Sequence, residues 1–291
     1  MIKTDNFTQH ENIDLTNEIS LIHPTDTPLS TMLLVGKKYD IATSKIITWR
    51  EKELSPYEDM SVEEGSETDQ FQSSKRVEKN NVQQIFKRAV AVSGSALASD
   101  VLGIKDLLQE ELNDRLIEMK IAMEKAYLTS EKSDGSVDGI RRMQGLINFV
   151  PDENKISEAF SEDAIKNTVR KLWENGLSTG EYVAFVNADL KDEIDELYKD
   201  KYFYVAQNDK FGILANTIQT NFGNVKLILN RHIDPDKILI FDPNFVRLSF
   251  LRTPRFELLA KTGDSVKAQV IAETSIKVLN EKAVALFTNS K

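Results

Sequence analysis

Three features of this chain imitate chemical sites, and each fails at the residue its chemistry most needs. Asp134-Gly-Ser-Val-Asp138-Gly139 offers oxygen ligands at the first, third and fifth places of a calcium-binding loop, with glycine at the sixth. The twelfth place, where a bidentate glutamate must close the cage, is Gly145, so a plain turn is the better reading. Gly36-Lys37 resembles the end of a phosphate-binding loop. Lys38 stands where a serine or threonine must hold magnesium, and Thr31 occupies the upstream glycine position. The histidines, His10, His23 and His232, are scattered, and none meets a carboxylate at helical spacing. There is no Gly-x-Ser-x-Gly elbow, no His-Glu-x-x-His and no Gly-x-Gly-x-x-Gly. With no cysteine, thiolate nucleophiles, thiolate zinc sites and disulfides are excluded, in keeping with a reducing compartment. Catalytic, cofactor-binding and metal-binding residues are therefore assigned as none. The one enzymic reading left is an α/β enzyme whose site is assembled from dispersed carboxylates.

The informative charges lie elsewhere, between Ile46 and Ala91. Two strand-like runs, 45–49 and 83–92, bracket a stretch poor in apolar residues. Its outgoing limb is acidic (Glu51, Glu53, Glu58, Asp59, Glu63, Glu64, Glu67, Asp69) and its returning limb basic (Lys75, Arg76, Lys79, Lys87, Arg88). Exposed pairs between such limbs contribute only about 0–1 kcal/mol each. Their value lies in register and in partner choice. Drawn out as a hairpin, limbs of ~15–20 residues reach ~50–65 Å, against a radius of gyration of ~19 Å for a globule of this length. Such a limb stands in solvent or lies on a neighbour, which makes assembly the leading idea. The candidate inter-subunit contacts are Trp49, Arg50, Glu51, Glu53, Glu63, Glu64, Lys75, Arg76 and Lys79. Trp49 has two equal readings: core at the limb's root, or an anchor on a neighbouring subunit.

Composition narrows the partners. A formal charge of −9 and pI near 5.1 argue against a dedicated nucleic-acid binder, which needs a basic face. No apolar run approaches the ~18–20 residues of a membrane span. The first residues lack the basic-then-apolar pattern of a signal peptide, so an intracellular product is expected, and a secreted adhesin or surface-layer subunit is disfavoured.

The elements that must position these residues read as follows. Pro24 and Pro28 bar regular helix locally, ahead of a short apolar patch at 29–35 closed by Gly36. From about 100 to 130, Ile104, Leu107, Leu108, Leu112, Leu116, Met119, Met123 and Ala126 recur at three- and four-residue steps, predicting one long helix. Its other face carries Glu111 and Arg115. A helix over 161–174 is capped by Ser161 and ended by Gly176, and a doubly covered strand follows at 182–186. Another short helix is predicted at 189–198. Strands are predicted at 225–229, 237–241, 245–251, 256–260, 266–272, 274–279 and 283–287, the last two as a hairpin turning at Asn280-Glu281.

This order of parts resembles a tailed-phage major capsid protein of the Hong Kong 97 type, and more narrowly the family similar to the major head protein of phage SU10. The residues that carry the resemblance are Asn17-Glu-Ile-Ser-Leu-Ile-His-Pro-Thr-Asp-Thr-Pro-Leu29 and Ile47-Thr-Trp-Arg-Glu-Lys-Glu-Leu54. Gly139-Ile-Arg-Arg-Met-Gln-Gly-Leu146 and Glu273-Thr-Ser-Ile-Lys-Val-Leu-Asn-Glu-Lys-Ala283 complete the set. The resemblance implies an α+β fold with an N-terminal arm (1–44), an extended β-hairpin loop (45–92) and a long spine helix (about 100–130). It further implies a peripheral domain (93–139 with 238–291) and an axial domain (140–237). It implies self-assembly into the hexamers and pentamers of an icosahedral shell, with a portal and a separate scaffolding protein as partners. Double-stranded DNA would be enclosed without sequence-specific binding, with no membrane involved, in a virion made in the host bacterial cytoplasm. An encapsulin-like nanocompartment shell is the alternative on the same fold.

Overall fold

The computed structural model describes residues 26–52, 60–67, 71, 73–99, 106–176, 180–198, 217–261 and 263–290. They open with helix α1 (Pro28–Val35), strand β1 (Tyr39–Ile41) and the strands β2 (Ile46–Lys52), β3 (Arg76–Val82) and β4 (Gln84–Ser93). The short helix α2 (Gly94–Ala98) and the long helix α3 (Leu107–Thr129) come next. Then follow β5 (Lys155–Glu158), α4 (Glu162–Glu174), β6 (Glu181–Val186), α5 (Ala188–Tyr198), β7 (Thr217–Thr220) and β8 (Gly223–Leu229). The chain closes with β9 (Lys237–Phe241), β10 (Val246–Leu258), β11 (Ser265–Val278) and β12 (Val284–Asn289). They form a six-stranded mixed sheet ordered β5-β12-β9-β6-β8-β7, a four-stranded sheet ordered β1-β10-β11-β4, and the pair β2-β3.

Local chemistry explains the helices. Asp106 accepts the Gln109 N–H at 3.0 Å and so caps α3, whose residues would span about 34 Å. Leu112, Met119 and Met123 of its predicted stripe are buried; Ile104 lies outside the described residues. Ser161 accepts from the Ala164 N–H at 3.1 Å, and Glu162 and Asp163 oppose the positive end of the α4 dipole. Gly176 ends that helix with φ of 67°, a conformation other residues adopt only under strain.

The chain clusters into two compact units. One holds, among the described residues, 87–99, 106–119, 254–261 and 263–271. In it Leu112, Met119, Ala268 and Val270 are buried, and the Gly94 N–H donates to the Asp264 carbonyl at 3.1 Å. The other unit contains the six-stranded sheet. One face of that sheet packs Tyr182, Ala184, Val225, Ile240 and Phe287 against Ile165, Val169 and Leu172 of α4 and Leu190 and Ile194 of α5. Strand β6 is buried from Tyr182 to Val186, as a strand covered on both faces should be.

Several expectations need correction. The run 83–92 is not the return of the hairpin: β2 pairs with Arg76–Val82, and β4 joins the four-stranded sheet instead. Two of the basic residues, Lys87 and Arg88, therefore lie on β4 and not on the limb. The segments 245–251 and 256–260 are one strand, β10, running through Pro254. Among the described residues strand β1 pairs only with Leu248–Phe250, and beyond it no described strand on that flank of β10 needs the N–H that proline lacks. Likewise 266–272 and 274–279 are one strand, β11. No hairpin turns at Asn280. Its side chain accepts the Lys282 N–H at 2.9 Å and sets a 3-10 turn that carries the chain from β11 into β12 of a different sheet. Finally, a division at 237/238 separates strands that belong together. β9 pairs with β6 and β12 with β9, because Ile238, Ile240, Ala285 and Phe287 share the core of α4 and α5. The N-terminal arm up to residue 25 lies outside the described residues.

Candidate assembly site at the root of the charged hairpin

Strand alternation sorts the charged hairpin into two faces. Ile47, Trp49 and Glu51 on β2 and Lys79 and Asn81 on β3 turn inward, while Thr48, Arg50 and Lys52 are exposed. On the exposed face Arg50 stands opposite Glu78, a favourable cross-strand pair, but Lys52 stands opposite Arg76, two like charges. The acid-out, base-back pattern of the limbs is thus reversed at the Arg50–Glu78 rung and absent at Lys52–Arg76.

The inward residues are used by the chain itself. Trp49 is 8% exposed and its ring lies 6.0 Å from that of Phe149. Of its two readings, core at the root is the one the structure shows. Lys79 Nζ reaches Glu281 Oε2 at 2.7 Å, and Glu51 accepts the Glu281 N–H at 3.3 Å. Burial, and then the neighbouring Glu281 carboxylate, push the Glu51 carboxyl above its ordinary range; the Glu281 N–H and Lys79 only partly oppose them. The exposed candidates are different. Arg50, Glu63, Glu64, Lys75 and Arg76 all face solvent, and Glu53 lies outside the described residues. Around Gly65, at φ of 84°, the chain turns with the Ser66 N–H donating to the Glu63 carbonyl at 3.1 Å.

Below the root sits a buried polar junction that no local pattern announces. Asn81 is fully buried and its amide is fully used. Its Nδ2 donates to the carbonyls of Gln144 (3.0 Å) and Ile276 (2.8 Å). Its Oδ1 accepts the N–H groups of Gln144 and Val82, both at 2.8 Å. Gln84 Oε1 accepts the Met143 N–H at 3.1 Å, and Gln83 Nε2 donates to Ser249 Oγ at 2.9 Å. Thr274 Oγ1 donates to the Ser249 carbonyl at 3.0 Å and lies 2.6 Å from the Tyr127 hydroxyl. Burial pushes the Tyr127 phenol far above its ordinary range, so it stays a neutral hydroxyl. Beside it Glu273, 5% exposed, accepts from Arg141 at 2.8 Å and Arg252 at 3.0 Å. Gly145 completes the junction: a Cβ there would lie 2.7 Å from the Ser130 nitrogen, so only glycine lets these backbones meet.

A second anchor ties α1 to α3. Pro28 has no N–H, Thr27 offers no side-chain cap, and the Thr31 N–H goes to the Thr27 carbonyl. The remaining amides, Leu29 and Ser30, both donate to the buried Glu124 carboxylate, at 2.7 and 2.9 Å. Ser30 Oγ and Asn230 Nδ2 donate to it as well. An anion at a helix N-terminus accounts for every orphan donor here.

The imitated calcium loop is a turn. Asp134 accepts the Ser136 N–H and Asp138 the Ile140 N–H, both at 2.9 Å, with Arg142 also on Asp138 at 2.7 Å. Hydrogen bonding holds both carboxyls below their usual range. Asn81, Gln83, Glu124 and Ser249 were not legible as site residues. The one signal pointing here was that the stretches 139–146 and 273–283, which carry the resemblance, meet at this junction.

Glu51 gives a pH test of the root. Its folded pKa is raised, so its contribution is fullest below the ordinary carboxylate value and is lost as pH rises through the folded value. Glu51→Gln should therefore raise Tm at pH 7 by roughly 1–2 °C, the effect being small because the group is partly solvated. At pH 4 the two proteins should melt together. A lower Tm for the variant at pH 7 would contradict this account.

Comparison with known proteins places this architecture. The major capsid protein of Escherichia phage Phieco32 is 25% identical over 335 residues, covering 95% of this chain and 94% of its own. The solved cyanophage A-1(L) capsid superposes with a TM-score of 0.73 at 9% identity, over 99% of each chain. Mycobacterium phage Bobi gives 0.67 at 11% identity over 96% of each. The holo-SrpI encapsulin complex of Synechococcus elongatus PCC 7942 gives 0.61 at 13%, over 97% of this chain and 94% of that one. The fold is thus the Hong Kong 97-type capsid fold, of mixed α+β class. The SU10 major capsid protein family matches residues 2–291, nearly the whole sequence, and this chain belongs to that family.

Proposed function

We propose that copies of this chain tile, through hexamers and pentamers, the icosahedral head shell that encloses the double-stranded DNA of a tailed bacteriophage. The family is one of structural capsid proteins, not a class of enzymes. The observation that carries the proposal is a contrast within the charged limb. Its root is locked into the chain by Trp49, Lys79 and Asn81, whereas Met60, Val62 and Phe71 beyond it are 79%, 80% and 89% exposed. Apolar side chains this bare, on a limb with a fixed base, suit a surface contributed by a sister copy. Contacts repeated around a closed shell can each be weak and still hold together.

In this reading Arg50, Glu63, Glu64, Lys75 and Arg76 act between subunits. A portal and a separate scaffolding protein complete the assembly, and the product is a virion component made in the host bacterial cytoplasm. The net charge of −9 suits an inner wall that does not grip DNA and so leaves packaging and release free. An encapsulin-like shell shares the fold and is the second reading. Particles carrying a protein cargo and no DNA would favour it.

Negative-stain microscopy of concentrated recombinant protein tests the proposal. Closed shells, rings or tubes are the expected result. Protein that stays monomeric by light scattering at every concentration would overturn it.

A further inference from the structure

The outward face of the β2–β3 root carries positive charge on a chain whose net charge is negative. Three rungs share that face: Thr48 opposite Asn80, Arg50 opposite Glu78 and Lys52 opposite Arg76. Residues two apart on one strand stand about 6.8 Å apart, so the three rungs span about 14 Å. Lys132 closes the strip at its inner end, its Nζ donating to the Asn80 carbonyl at 2.8 Å and to Asn80 Oδ1 at 2.6 Å. The face thus sets four cations against one carboxylate, Glu78, in a chain of net charge −9.

These cations lack counter-charges. Lys52 and Arg76 repel each other across the pair. Both partners of Lys132 are neutral oxygens, and burial holds its ammonium below the usual range with no carboxylate to offset it. Among the described residues Arg50, Lys52, Arg76 and Lys132 are in no ion pair.

An extended polypeptide with carboxylates at alternate positions matches this strip, since its repeat is the same. Each guanidinium can take a carboxylate through two N–H groups. A nucleic-acid strand fits less well. Its bases need aromatic platforms, and Trp49, the one aromatic residue of these two strands, turns inward. The net charge of −9 also repels a long polyanion more than a short acidic segment.

We propose that the strip formed by Arg50, Lys52, Arg76 and Lys132 binds an extended acidic segment of a separate protein. The binding is a property of the single chain. Its consequence rests on the shell reading above, in which Arg50 and Arg76 act between subunits. The acidic partner must leave before those contacts form, so it holds free subunits back from assembly.

Fluorescence anisotropy of a labelled peptide, Thr-Glu repeated four times, tests the binding on dilute full-length protein. Saturable binding is expected, weakened on the order of tenfold when salt rises from about 50 to about 300 mM. Arg76→Glu should weaken it on the order of tenfold as well, and Lys132→Gln by about threefold. Arg76→Glu gives Lys52 a favourable partner, so its Tm should not fall and the loss reads binding alone. Lys120→Glu makes the same charge change at an exposed site on α3 and should leave binding within about twofold. A Thr-Gln peptide should not bind. No saturation, or equal loss in Arg76→Glu and Lys120→Glu, overturns the site. An eight-residue oligothymidylate that binds as tightly overturns the acidic-protein partner in favour of a phosphate backbone. Excess peptide should delay the rise of light scattering on concentration. Binding without delay overturns the link to assembly alone, and protein that binds yet never assembles overturns the shell reading and leaves the site standing.

Discussion

Replacing Asn81 by aspartate should lower stability by about 3–5 kcal/mol, the largest single effect expected of a near-isosteric change in this chain. The two side chains have almost the same shape, so packing is nearly constant and the effect isolates hydrogen bonding. Aspartate can still accept from Gln144 and Val82, but it cannot donate to the carbonyls of Gln144 and Ile276, now 3.0 and 2.8 Å from the nitrogen it loses. Two buried acceptors lose their donor, and a carboxylate oxygen is pressed against them where no water reaches. Protonation of the aspartate relieves part of this, so the deficit should shrink below about pH 5. In a chain of 291 residues the neutral-pH deficit corresponds to a fall in Tm of about 6–12 °C. Urea unfolding followed by circular dichroism measures it. A variant within 1 °C of the parent at pH 7 would show that the junction does not hold the hairpin root, since that magnitude is the scale of a neutral surface change. The same variant should assemble poorly, because a limb with an unlocked base meets its neighbour in many directions.

Glu124→Ala should rank second, at about 3 kcal/mol, and its effect should be local. The truncation strands the Leu29 and Ser30 amides and the Asn230 side chain, all bonded to the one carboxylate. A helix of eight residues, Pro28–Val35, has little stability of its own and depends on that cap and on the burial of Leu29 and Leu33. Hydrogen exchange should report about 100-fold faster exchange for the amides of α1, while the amides of β6 keep most of their protection. Equal loss in both elements would mean that Glu124 supports the whole unit and does not act as a cap.

The contrast between what was and was not legible has a physical cause. Local pattern identified α3, α4 and β6, because apolar residues recur at three- and four-residue steps along the helices, Ser161 and Gly176 mark the ends of α4, and β6 is apolar throughout. The partner of β2 was misread. Both 76–82 and 83–92 look like strands, and only the long-range bonds of Asn81 and Gln83 decide which one turns back. Strands β11 and β12 were joined as a hairpin because a turn residue between apolar runs says nothing about which sheet each run enters. Glu124 was hidden in plain view beside Met123, a carboxylate whose donors lie 94 and 95 residues away in sequence. Polar pairing of this kind has no period, so a single sequence does not display it.

Among the described residues the ladder of β2 and β3 is clamped near one end, where Asn81 stands opposite Ile47, is packed at its middle through Trp49, and is electrostatically repelled at the other end, where Lys52 faces Arg76. Thermal fraying must start at the repelled rung and progress toward the clamp, and dissolved salt slows it by screening those two cations. Identical polypeptides set in a curved wall meet unequal local angles. A strand pair built this way yields at its outer rung and leaves its bearing unchanged, so unequal geometry is absorbed without remaking the junction beneath.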